Sequence, residues 1–133
     1  MPRVVHFEIH SADPDAAATF YSSIFGWKIS KWDGPVEYWL VQTGEGRGID
    51  GGIVRRQGEA PATGAAVNAY VCTIGVEALD ETLTSITGNG GEIVVAKHEI
   101  PHVGLLAYVK DPDGNIFGCI ATGISATNRN AKS

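Results

Sequence analysis

The chain has 133 residues, enough for one compact domain with a buried core, and its 44% hydrophobic and 19% charged residues are typical of a globular protein. The formal net charge of −5 argues against nucleic acid as a partner, because phosphate binding relies on clustered lysines and arginines. The apolar runs are too short to span a bilayer and no signal-peptide core follows Met1, so we expect a cytoplasmic protein with no membrane partner.

The first part of the chain is predicted to fold as a strand, a helix and three further strands. Residues 3–10 form the first predicted strand. Residues 11–26 have the apolar spacing of a helix, with Ser11 or Asp13 as its cap and Gly26 as its end. The three further strands are predicted at 27–32, 37–43 and 48–56.

The same order of elements recurs after a segment of small residues. Residues 57–66 are rich in glycine, alanine and proline and lack periodicity, which predicts a linker. The elements predicted after it are a strand at 67–76, a helix at 77–91 and strands at 92–100, 104–112 and 115–123. The polar residues 125–133 are expected to form a flexible tail.

This recurrence indicates a duplicated βαβββ unit. We therefore predict an α+β protein whose first module covers residues 1–56 and whose second covers 67–124, joined by the linker into one compact domain overall. The two modules are expected to form curved mixed β-sheets with the helices packed outside.

His6, Glu8 and His10 occupy alternate positions of the first predicted strand. Alternate residues of a strand point to the same face, so these three side chains are expected to line one surface. That surface could be half of a metal site, the wall of a binding cup or a polar strand face.

Aromatic residues in the first module could supply the apolar part of such a cup. Tyr38 and Trp39 are adjacent and must point to opposite faces, so at most one of them faces the cup. Trp32 and Trp39 are the candidates for ligand contact, with core filling as an alternative of similar weight. Phe20 and Tyr21 are expected to fill the core between helix and sheet.

Gly51 and Gly52 lie in the middle of a predicted strand, where glycine is costly. Such glycines often mark a bulge or a close approach to the backbone. Here they could leave room at the centre of the sheet for a ligand or for a partner chain.

Three stretches of the chain carry a family resemblance. They are "HFEIHSADPDAAATFYSSIFGW", "VEALDETLTSITGNGGEI" and "IPHVGLLAYVKDPDGNIFG". With them the sequence resembles the vicinal oxygen chelate superfamily, which includes glyoxalase I, bleomycin-resistance and fosfomycin-resistance proteins and extradiol dioxygenases. The resemblance covers residues 3–123 and implies the fold but not the reaction, because one fold hosts many chemistries.

The resemblance also implies where a divalent metal would be held. Metal-dependent members place one ligand on the first and one on the last strand of each module, and His6 matches one of these four positions. The other three fall on Gly51 or Gly52, on one of Ala69, Tyr70 and Val71, and on Gly118. A catalytic site needs about three protein donors, so we expect the family metal site to be lost and no cofactor to be required.

The favoured function is therefore the binding of a small aromatic or amphipathic molecule in the sheet cup. The predicted ligand-binding residues are His6, Glu8, His10, Trp32 and Trp39. In a metal-free enzyme, Glu8 could serve as a general base whose pKa is raised by burial. A homodimer is expected, because open sheets leave edges that a two-fold mate would cover.

Two alternatives stay open. One is a metal-dependent lyase, isomerase or dioxygenase with a displaced site around His6, Glu8 and His10. Its third ligand would come from Asp50, His98 or His102. The other is an accessory dimer without a ligand.

Overall fold

A computed structural model describes residues 2–122, so the predicted tail 125–133 lies outside the described residues. The strands and helices follow one another in the predicted order. Their bounds are β1 (Arg3–Ser11), α1 (Pro14–Phe25), β2 (Lys28–Lys31), β3 (Trp39–Gln42), β4 (Asp50–Arg55), β5 (Val71–Gly75), α2 (Leu79–Gly88), β6 (Glu92–Ile100), β7 (Gly104–Lys110) and β8 (Ile116–Thr122).

The chain divides into two compact units. Among the described residues, the first unit is 6–71, and the second combines 72–122 with 2–5. The segment 57–66, which the sequence predicts to be a linker, contains no helix or strand. The module bounds 1–56 and 67–124 stay predictions. No helix among residues 2–122 is long and apolar enough to cross a membrane.

The first unit contains a four-stranded sheet in the order β2-β3-β4-β1. β1 runs parallel to β4, whereas β3 pairs antiparallel with both β4 and β2. The parallel register places His6 opposite Asp50 and Glu8 opposite Gly52. This register brings the polar positions of β1 beside the strand glycines of β4.

The second unit repeats the same pairing. β5 runs parallel to β8, and β7 pairs antiparallel with both β8 and β6. The order of strands is therefore β5-β8-β7-β6, the counterpart of β1-β4-β3-β2. The α+β class and its two βαβββ modules are confirmed.

Helix α1 has the ends that the sequence predicts. Asp13 caps it, with its Oδ1 accepting a hydrogen bond from the Ala16 amide at 3.2 Å, and Pro14 occupies the first turn. Gly26 ends the helix with φ of 73°, and its amide donates to the Ser22 carbonyl at 2.9 Å.

The core of the first unit lies between its sheet and α1. The sheet contributes Phe7, Ile9, Trp39, Val41 and Ile53. Helix α1 packs Ala17, Ala18 and Tyr21 against them. The sheet contributes the large aromatic residues Phe7 and Trp39, so two of the three α1 residues that pack against them are alanines.

The expectation for Phe20 is wrong. Its side chain is 55% exposed, and Ile24 and Phe25 on the same helix are exposed as well. Tyr21 does pack against the core, as expected. The sheet side of α1 is occupied by Ala17, Ala18 and Tyr21, which leaves Phe20 on the solvent side.

The second unit has a core of its own. Its buried residues are Leu79, Leu83, Ala107, Val109, Cys119 and Ala121. They come from α2, β7 and β8, so strand β6 contributes none of them. Along β6 every residue except the last is exposed, including three consecutive apolar side chains at 93–95.

Val41 and Leu40 are a matched pair for testing which face of β3 is buried. Val41 is 1% exposed and Leu40 is 42% exposed. We expect Val41→Ala to lower the free energy of unfolding by about 2 kcal/mol, because it removes buried methyl groups and leaves a cavity. Leu40→Ala should cost less than about 1 kcal/mol. Urea denaturation measures both, and equal costs would contradict the assigned faces.

Candidate functional site

The candidate site is the polar face, which we define as the sheet face of the first unit that carries His6, Glu8, His10 and Tyr38. Glu8 is only 8% exposed, and its Oε1 lies 3.5 Å from His10 Nε2. His6 is half-buried and His10 is exposed. Phe7 and Ile9, which alternate with these residues, belong to the core beneath α1.

Tyr38 joins this face through His6. Tyr38 Oη and His6 Nε2 share a hydrogen bond of 2.6 Å, and the two rings lie nearly parallel, 18° apart. A Cβ atom on Gly52 would overlap the Tyr38 hydroxyl and ring. Only glycine at position 52 lets the phenol cross the strand and reach His6.

The two strand glycines thus have a role that differs from the expected one. A Cβ on Gly51 would overlap the Phe7 ring and carbonyl, on the core side of the sheet. Gly52 makes room for Tyr38 on the polar side. The space that they create is filled by the protein's own aromatic side chains, not by a ligand or a partner chain.

The structure places Trp39 in the core of the first unit, whereas ligand contact by Trp32 stays a prediction. Trp39 is 4% exposed in the core, and its indole Nε1 donates to Asp15 Oδ1 of α1 at 3.1 Å. Trp32 is half-buried, and its ring covers Gly34 so closely that a Cβ there would overlap it. Since Trp39 points to the core, the adjacent Tyr38 is the aromatic that faces the polar side.

Several contacts fix the segment that carries Tyr38. Arg55 donates two hydrogen bonds to the Glu37 carboxylate, at 3.1 and 3.2 Å, and a third to the Ala12 carbonyl at 3.1 Å. The Tyr38 carbonyl accepts from the Trp32 amide at 2.8 Å. The residue before Tyr38 is therefore tied to the end of β4, which holds the phenol over Gly52.

The environment of the polar face shifts the pKa values of His6 and Tyr38 in the directions that favour their neutral forms. Burial lowers the pKa of His6, an effect that the charges of Glu8 and Asp50 partly offset. Burial also raises the pKa of Tyr38 far above its ordinary value, and Glu8 adds to this rise. The carboxyl group of Glu8 lies on the same face, 3.5 Å from His10 Nε2.

These residues do not fit the metal centre of the resembling superfamily. His6 directs its Nε2 at Tyr38, and Asp50 Oδ1 accepts hydrogen bonds from Thr43 at 2.9 and 3.2 Å. In the stretch from residue 2 to 122, no three His, Cys, Asp or Glu side chains are grouped so that they could hold one ion. The candidate third ligand His98 lies in the second unit, with its Nδ1 3.0 Å from the Ala96 carbonyl.

Comparisons with known proteins place the chain in a family. Residues 3–44 match the family model described as bleomycin resistance protein-like N-terminal. A glyoxylase-like domain-containing protein of Didymella fabae is 33% identical over 113 residues, which cover 81% of this chain and 84% of that protein. A putative glyoxylase of Mycobacterium bovis is 24% identical, and the match covers 84% of this chain but 42% of that protein. The chain belongs to the glyoxalase and bleomycin-resistance family of the vicinal oxygen chelate superfamily.

Solved structures share the fold. A hypothetical protein of Bacillus halodurans superimposes with a TM-score of 0.68 at 14% identity, covering 92% of this chain and 95% of that one. Methylmalonyl-CoA epimerase of Mycobacterium tuberculosis gives a TM-score of 0.67 at 14% identity, covering 98% of this chain and 91% of that one. At such identities the likeness concerns the fold alone.

The fit between Gly52 and Tyr38 can be tested by a double-mutant cycle. We expect Gly52→Ala to lower the free energy of unfolding by about 1–3 kcal/mol, because the new methyl group displaces the phenol. In a Tyr38→Ala background the same change should cost less than about 1 kcal/mol. Displacement of the phenol should also expose His6 and raise its pKa toward the ordinary value, as measured by NMR titration.

Gly88→Ala is the matched control for this cycle. A Cβ at Gly88, the last residue of α2, would meet no atom within 4 Å, so this change should be neutral or slightly stabilising. Equal costs of Gly52→Ala with and without Tyr38 would show that the tyrosine is not the obstructing group.

Proposed function

We propose that the polar face binds a small aromatic molecule that carries a positive charge, and that it does so without a divalent metal. The observation that carries this proposal is the nearly buried carboxylate of Glu8 on a face where burial favours the neutral forms of His6 and Tyr38. A buried carboxylate is best satisfied by a charged or strongly donating partner. Glu8 already has partners within the protein, His10 among them, and its negative charge favours a ligand cation over a ligand anion.

The aromatic part of the ligand is suggested by Tyr38. The Tyr38 ring is half-buried, its hydroxyl is hydrogen-bonded to His6, and it packs against Gly52. It therefore offers a rigid aromatic surface beside the Glu8 carboxylate. Aromatic rings prefer offset-stacked or edge-to-face contact with other rings, and they attract cations to their faces. A planar cationic molecule combines both interactions.

The relatives support a small-molecule role. The matching family model describes bleomycin-resistance proteins, and one solved neighbour is a methylmalonyl-CoA epimerase in complex with methylmalonyl-CoA. In a reaction at the polar face, Glu8 would act as the general base, because its carboxylate lies beside neutral hydrogen-bonding groups.

Tryptamine is a suitable probe, because it joins an indole ring to an ammonium group. We expect calorimetric titration to give saturable binding, weakened at least about tenfold by Glu8→Gln, which removes the charge but keeps the shape. Glu45→Gln, in an exposed loop, is the matched control and should leave the affinity unchanged. Equal weakening by both variants, or no binding to the wild type, would count against the proposal.

Metal content tests the alternative of a metal-dependent enzyme. Protein from zinc-, nickel-, manganese- and iron-supplemented growths is analysed by mass spectrometry, with His6→Ala as control. We expect no stoichiometric metal. Near one metal per chain, lost in His6→Ala, would instead establish a displaced site around His6, Glu8 and His10 and a lyase, isomerase or dioxygenase function.

We further propose that the protein forms a homodimer through α1. Phe20, Ile24 and Phe25 present three large apolar side chains to solvent on this one helix. Contiguous exposed apolar surface of this kind marks interaction sites. A second copy is the simplest partner, because a two-fold axis buries the same patch on both chains.

Light scattering after size exclusion should therefore give a dimer for the wild type. Phe20→Ser combined with Phe25→Ser should shift it to a monomer, because the apolar patch is removed. Val36→Ser, at an exposed apolar residue of a loop, should not. A wild-type monomer, or a dimer broken only by Val94→Lys on the exposed strand β6, would contradict an interface on α1.

A further inference from the structure

A cavity of the first unit lies at the carboxyl ends of the parallel strands β1 and β4. We call it the linker pocket, because residues 57–70 form much of its wall opposite Ile9, His10 and Arg56. Its volume is about 610 Å³, within the range of small-molecule sites. Every residue that lines it belongs to the unit His6–Val71.

One wall of the linker pocket is aromatic. Tyr21 and Tyr70 line it, and their hydroxyls share a hydrogen bond of 2.8 Å. The Tyr70 ring packs against Phe7 with centroids 5.5 Å apart, and the Tyr21 ring stacks on Trp27 at 5.4 Å. Since each tyrosine is fixed from behind by a core aromatic, the wall is preorganised.

Arg56 supplies the positive charge of this pocket and is its one Lys or Arg lining residue. Its side chain donates a long hydrogen bond of 3.4 Å to the His10 carbonyl. Among the residues that the structure describes, no carboxylate lies within ion-pair distance of Arg56, whereas its neighbour Arg55 is paired with both oxygens of Glu37. The guanidinium of Arg56 thus keeps donors for an anion.

The remaining wall is made by short side chains of the linker. Pro61, Ala65, Ala66 and Ala69 line the pocket, and their small size leaves it open. Glu59 also lines it, and a negative ligand must bind in spite of this carboxylate. The opposed charges of Arg56 and Glu59 provide two variants with effects of opposite sign.

We propose that the linker pocket binds an organic anion with an aromatic body, its carboxylate or phosphate on Arg56 and its ring against Tyr70. The linker pocket shares His10 with the polar face but differs from it in its other residues and in its charge preference. It does not depend on the binding of a cation beside Glu8.

Indole-3-acetate tests the proposal, because it has the same ring as tryptamine with the opposite charge. We expect saturable calorimetric binding to the full chain, weakened at least about tenfold by Arg56→Gln. Glu59→Gln should strengthen the binding, because it removes a repelling carboxylate. Arg47→Gln, an identical change in an exposed loop, should have no effect.

The two sites are separated by Tyr38→Ala, which removes the aromatic surface of the polar face. Indole-3-acetate binding that survives Tyr38→Ala and fails with Arg56→Gln supports the linker pocket, whatever happens to tryptamine. Loss of indole-3-acetate binding with Tyr38→Ala, equal effects of Arg47→Gln and Arg56→Gln, or no binding to the wild type would each overturn the proposal.

Discussion

The parallel pairing of β1 with β4 is the constraint on which the candidate site depends. Because the register places Glu8 opposite Gly52, the tyrosine that crosses this glycine arrives beside His6 and Glu8. A shift by one residue would turn the polar side chains of β1 into the core and bring Phe7 and Ile9 to the surface. The core beneath α1 and the polar face are thus two consequences of one register.

The sequence predicted the fold well, because its signals are local. The cap at Asp13, the helix end at Gly26 and the strand alternation each act within a few residues. The recurrence of the whole pattern predicted the two modules, and the same pairing order appears in both. Chain positions that depend on distant partners were harder to assign.

The tryptophan and glycine assignments show where local reasoning ends. Alternation established that Tyr38 and Trp39 face opposite sides of the sheet, but not which of them faces the core. In the structure Trp39 faces the core, and its indole donates a hydrogen bond to Asp15 of α1. Likewise, glycine in a strand predicts close approach but not the group that approaches. Gly52 faces a tyrosine fourteen residues earlier in the chain, and no periodic pattern connects the two.

Tyr38 gives the half-buried imidazole of His6 a hydrogen-bonding partner within the protein. A buried imidazole needs a partner, because an unsatisfied ring nitrogen is costly. In this chain the phenol supplies that partner, and burial favours the neutral forms of both groups. Glycine at position 52 admits the phenol that makes this hydrogen bond, because a Cβ atom there would overlap the tyrosine.

The polar face and the linker pocket finally differ in charge. On the polar face the nearly buried carboxylate of Glu8 favours a positive partner, whereas Arg56 in the linker pocket favours a negative one. His10 lies between these preferences, because its imidazole contacts Glu8 while its carbonyl accepts from Arg56. A single residue at the end of β1 therefore touches the determining charge of each site.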